Sequence, residues 1–143
     1  MALVLALLLL VAIIPGCKTK AKDDLVGTWR TKLTGYNTVA AGITQYDQTV
    51  EFTDAGTVTM DNTLPGDVNH VTGRYELSMT DGHALIKITW DIPVDKPSEL
   101  YYSFQDGKLL TSRAPGSLDL SKQLNVGNQD PVVYLRLQKP AAP

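Results

Sequence analysis

The feature that most constrains this chain is the rhythm of residues 25–138. Short runs rich in Val, Ile, Thr, Tyr and Trp are cut at close intervals by Gly, Asp, Asn and Pro. That alternation is the signature of strands and tight turns. It is clearest from His83 to Trp90, where Ala84, Ile86, Ile88 and Trp90 fall on one face at period two; a helix would scatter them. The same reading predicts eight strands, over about 25–33, 43–52, 57–60, 71–78, 83–90, 99–104, 108–113 and 132–138. Thr53-Asp54-Ala55-Gly56, Thr80-Asp81-Gly82 and Gln105-Asp106-Gly107 read as hairpin turns, and prolines 93 and 97 end the fifth strand. Three stretches read as loops: 34–42 around Tyr36 and Val39, a polar 61–69 containing Pro65-Gly66, and 114–131. Within the last, Ser117 to Leu124 has room for a turn or two of helix, with Leu120 and Leu124 on one side.

Tight turns make sequential strands antiparallel neighbours, so the expected topology is an up-and-down meander. An open meander of this length leaves two edges that invite aggregation. Pairing the last strand with the first removes both, and about eight strands then enclose a filled core or one small ligand. A two-sheet sandwich has the same strand count but favours long crossovers, which only 114–131 could supply. The expected fold is therefore all-β: an eight-stranded antiparallel up-and-down β-barrel over residues 25–139, with a tail at 140–143.

The N-terminal segment has a different chemistry. Ala2 to Ile14 is uninterrupted apolar side chain, followed by Pro15, Gly16, Cys17 and a polar stretch with lysines at 18, 20 and 22. A bilayer span needs roughly 20 apolar residues, so this shorter run suits a signal-peptide core. Ile14-Pro15-Gly16-Cys17 resembles a bacterial lipobox, with an apolar residue three before the cysteine and a small one directly before it. The resemblance implies removal of residues 1–16 and a diacylglyceryl thioether on Cys17. Residues 17–24 would then be a lipidated cysteine and polar tether, with the domain held outside the cytoplasm at a cell-envelope membrane. Two departures stand out: Pro15 is unusual there, and no lysine or arginine precedes the apolar run. Cys17 is the chain's single cysteine, so no intrachain disulfide can form.

Leu25-Val26-Gly27-Thr28-Trp29 adds a second resemblance. Gly27 and Trp29 on a first strand resemble the G-x-W signature of lipocalins and the wider calycin group. Together with the lipobox, Phe52-Thr53-Asp54-Ala55-Gly56-Thr57 and Gly73-Arg74-Tyr75, the chain resembles the lipocalin-like domains of small bacterial lipoproteins over roughly residues 25–138. The family pattern implies a tryptophan plugging the closed end of the barrel and a late arginine covering its ring. Arg136 is the candidate for that arginine, with Arg113 as the alternative. The first inter-strand loop, 34–42 here, would lid the open end.

Candidate chemistry is sparse. The net charge is −2 and no basic stripe appears, so no nucleic-acid partner is expected. His70 and His83 stand in a polar loop and beside a turn, without the convergent ligands a metal needs. No serine lies in a nucleophile-elbow pattern, and no glycine-rich phosphate loop opens a helix. The expectation is a protein with no catalytic residue, metal or cofactor. Aromatic residues carry more: Tyr36, Tyr75, Trp90 and Tyr102 (or Tyr101) could line a barrel cavity with their polar tips available. Two functions follow. One is a membrane-anchored module holding a small apolar or amphipathic ligand in the barrel mouth. The alternative is a solid-barrel envelope protein acting through its loops.

Overall fold

The computed structural model describes residues 16–37, 42–122 and 130–138. Its elements are a helix α1 (Gly16–Leu25) and eight strands: β1 (Gly27–Asn37), β2 (Gly42–Phe52), β3 (Thr57–Leu64), β4 (Asp67–Thr80), β5 (His83–Trp90), β6 (Ser98–Gln105), β7 (Lys108–Ser112) and β8 (Val132–Gln138). Each strand pairs antiparallel with the next, and β8 returns to β1, giving a closed up-and-down barrel. β5 and β8 coincide with the expected strands. Two 3₁₀ turns, Pro115–Ser117 and Leu120–Lys122, occupy part of the predicted irregular stretch; Leu124 and the leader lie outside the described residues.

Three expectations are corrected. The supposed lid 34–42 is mostly strand: β1 and β2 stay paired from Gly27↔Phe52 to Asn37↔Gly42, and 38–41 lie outside the described residues. The polar loop 61–69 is also paired strand, interrupted only by Pro65-Gly66 between Leu64 and Asp67. Gly66 has φ 83°, and Pro followed by a left-handed Gly makes a tight type II turn. Polarity misled there, because strand positions at a barrel rim face water at little cost. Finally, Leu25 does not start β1: it ends the helix Gly16–Leu25, where it is fully buried, and β1 begins at Gly27.

Strand alternation sorts the connections to two ends. Helix α1, the turns after β2, β4 and β6, and the end of β8 share one end; the β3–β4, β5–β6 and β7–β8 connections share the other. At the α1 end the core is aromatic. Trp29 is 1% exposed and lies 5.8 Å from Phe104, which packs edge-on to Tyr102. Tyr75 packs edge-on to Phe52 and donates from Oη to the Thr53 carbonyl at 2.7 Å, tying the β2–β3 turn to the core. Outside the barrel, Gln105 clamps the chain after β7: its Nε2 donates to the Leu118 carbonyl and its Oε1 accepts from the Leu120 amide.

Candidate functional site

Gly27 and Trp29 occupy the start of β1 at the α1 end. Gly27 has φ 133°, a conformation that favours glycine, and it carries the chain from helix into strand. The Trp29 indole Nε1 donates to the Leu25 carbonyl at 2.7 Å. Arg136, on β8, places Cζ 4.3 Å from the Trp29 ring centroid. Its guanidinium donates to the carbonyls of Asp24 and of Val26, the latter at 3.0 Å. Those carbonyls lie where α1 ends, so the cation meets the negative end of the helix dipole as well as an aromatic face. Arg113 stands at the opposite end of the barrel, after β7. Cys17 lies in the first turn of α1; its side chain is outside the described residues.

Above this floor the barrel is hollow. A cavity of about 780 Å³ is lined by, among others, Leu33, Val50, Ile86, Ile88, Trp90 and Leu109. It extends to Pro97, Arg113 and Asp130 in the connections at the end opposite α1. Its size falls within the roughly 300–1,000 Å³ usual for small-molecule sites. Trp90 contributes a ring whose Nε1 already donates to Ser98 Oγ at 3.0 Å, so the indole offers the cavity an apolar surface.

The other aromatic candidates are placed differently. Tyr75 and Tyr102 belong to the packed core and do not border this cavity. Tyr36 stands in β1 opposite Ile43, and its side chain is outside the described residues. Burial pushes the Tyr75 phenol up to about 12, with Asp54 and Tyr102 adding to the effect. Burial also raises the Tyr102 phenol, reinforced by Asp24.

Sequence reading missed the polar part of the wall. Gln48 and Tyr134 are both buried, and the Tyr134 phenol donates to Gln48 Oε1 at 2.6 Å. Gln48 Nε2 donates to Asn62 Oδ1 at 2.9 Å and to Met60 Sδ at 3.2 Å. Burial raises the Tyr134 phenol well above its ordinary range, although the Thr111 hydroxyl bonded to it works the other way. The available signal was Gln48 itself, a polar residue at an inward parity shared with Val50 and Phe52.

Among the described residues, no group of three or more His, Cys, Asp or Glu side chains converges on a metal-sized site. His70 forms an exposed pair with Asp61 on the outer wall, and His83 packs edge-on to Tyr101. No family model matches the chain, and comparison with curated proteins and with solved structures returns no relative.

Proposed function

We propose that this chain is a lipid-anchored, lipocalin-like binding protein that holds a small apolar or amphipathic ligand inside the barrel. The observation that carries the reading is the cavity of about 780 Å³, walled chiefly by apolar side chains and Trp90. Its position relative to α1 supports the anchoring half. The helix leads from Cys17 to the Trp29 end, so a lipid on Cys17 directs the cavity's far end away from the membrane. Two or three acyl chains hold such a protein firmly, since one chain binds only marginally.

Ligand binding is tested by titrating the full chain with N-phenyl-1-naphthylamine, a neutral apolar dye. Saturable dye emission at one site per chain, with quenching of tryptophan, is the expected result. A linear, non-saturating response would defeat the binding reading. Anchoring is tested separately: Cys17→Ser should move the protein from the membrane fraction to the soluble one, and unchanged retention would defeat it.

A second reading, docking of a protein partner through the rim, is favoured by exposed apolar residues at the cavity's far end. Leu64 and Val68 flank the β3–β4 turn, while Ile92 and Val94 lie in the β5–β6 connection. Crosslinking in cells that depends on those four side chains would support it.

A further inference from the structure

The cavity wall is mostly apolar, with one polar patch. Met60, Ile86, Ile88 and Trp90, from β3 and β5, are apolar, as are Val50 and Leu109 on strands that carry the patch. Gln48, Thr111 and Tyr134, from β2, β7 and β8, form that polar face. The charged residues lining the cavity, Glu99, Arg113 and Asp130, all stand near the β5–β6 and β7–β8 connections, so the polar face deeper in is neutral.

The hydrogen bonds on that face are unequal. Tyr134 to Gln48 and Gln48 to Asn62 are short oxygen-accepted bonds, at 2.6 and 2.9 Å. The other Gln48 amide proton goes to the Met60 thioether, and sulfur of that kind is a weak acceptor. A buried amide N–H gains by exchanging such a partner for an oxygen. Met60 also lines the cavity, so a ligand oxygen reaching that spot would meet the Gln48 donor.

We infer that Gln48 is the specificity-determining residue of the cavity, donating from Nε2 to a neutral acceptor oxygen (a ketone, ester or amide carbonyl) on an otherwise apolar ligand. This rests on the ligand-binding reading above. Trp90, across the cavity, supplies an aromatic surface for a flat hydrocarbon portion. A carboxylate is disfavoured at this depth, because among the described lining residues the one cation, Arg113, stands at the β7–β8 connection, and a buried anion without a partner is costly. A hydroxyl gains less, because the Gln48 carbonyl oxygen already accepts from Tyr134.

Three probes with one ring and different heads test this on the full chain: 2-acetylnaphthalene, 2-ethylnaphthalene and 2-naphthoate. Binding is followed by quenching of tryptophan emission. The ketone should bind roughly tenfold tighter than the hydrocarbon, the value of one net hydrogen bond to a buried donor. The naphthoate should bind no better than the hydrocarbon. Gln48→Met keeps the side chain's length and removes the donor, so the ketone preference should disappear while hydrocarbon binding persists. Because that variant removes the acceptor of the Tyr134 hydroxyl, a Gln48→Met/Tyr134→Phe double variant carries the same expectation without a phenol that has lost this partner.

Equal binding of ketone and hydrocarbon to the natural protein would overturn the inference while leaving the cavity a binding site. So would a ketone preference that survives either variant, or a preference for the naphthoate. Failure of both neutral probes to bind would defeat the ligand-binding reading, and the inference with it.

Discussion

Arg136 does two jobs with one cation: it lies over the Trp29 ring and holds the carbonyls at the end of α1. A cation–π contact is worth on the order of 1 kcal/mol and hydrogen bonds from a charged donor about as much or more. Arg136→Ala should therefore destabilise the protein by about 2–3 kcal/mol, read from chemical denaturation. Gly73 makes a different kind of prediction. A Cβ there would sit 2.6 Å from the Thr89 carbonyl oxygen and 3.2 Å from Trp90 Cε3. Gly73→Ala should cost roughly 1–3 kcal/mol as overpacking, and it should shift the Trp90 emission maximum because the ring must move. Trp29 and Arg136 could be named in advance, since a motif on the first strand and an arginine on the last are visible without coordinates. Gln48 could not. A glutamine among alternating residues announces polarity, and only the fold brings Tyr134, 86 positions away, to its amide.

The hairpin turns were the most legible elements. Asp81-Gly82 and Asp106-Gly107 both have positive φ at both positions, 50° and 78° in the first and 50° and 72° in the second. These are type I′ turns, whose twist matches the strands they join. Gly82 has open space around its Cα, so Gly82→Ala is purely a conformational penalty of about 1 kcal/mol, measurable as a lowered Tm with an unchanged tryptophan spectrum. The contrast with Gly73 separates backbone strain from steric crowding. Strand ends were less legible than turns. Residues 34–37 and 61–64 look like loop because they are small or polar, yet pairing with β2 and β4 draws them into strands. The helical form of Gly16–Leu25 also escaped sequence reading. Its lysines and aspartates suit a solvated tether equally well, and its C-terminal carbonyls are held by Trp29 and Arg136, partners supplied from other elements.

Across the whole molecule, three buried phenols link stability to alkaline pH. Burial raises Tyr75, Tyr102 and Tyr134 above the ordinary tyrosine value near 10. The unfolded chain then loses these protons first, so their contribution is intact below about pH 10 and declines as pH climbs toward 12, where Tyr75 titrates. Denaturation midpoints should be flat with respect to these groups from neutral pH to about 9 and fall above 10; Tyr75→Phe should weaken the fall. Closure of the barrel is itself a property of the whole. β8 meets β1 only around Thr28–Arg30 and meets β7 only along Leu109–Thr111, whereas β1 and β2 pair along their full length. Amide exchange should accordingly be faster along β8 than along β1 and β2.

Alternation, turn residues and the first-strand motif determined by themselves that this chain is all-β, with sequential antiparallel strands, because period and turn chemistry act locally. Tertiary structure alone decided the direction of β8. Val133, Leu135 and Leu137 share a face at the period of a strand, but that face is the outside, with Leu135 and Leu137 more than half exposed. The reason is that Tyr134 and Arg136 find better partners inside, on Gln48 and Trp29, than the leucines would. The hollow above Trp29 is equally a tertiary fact. Whether inward side chains meet across a barrel depends on their combined sizes at one level, and residues contributing to one level are scattered from Leu33 to Tyr134.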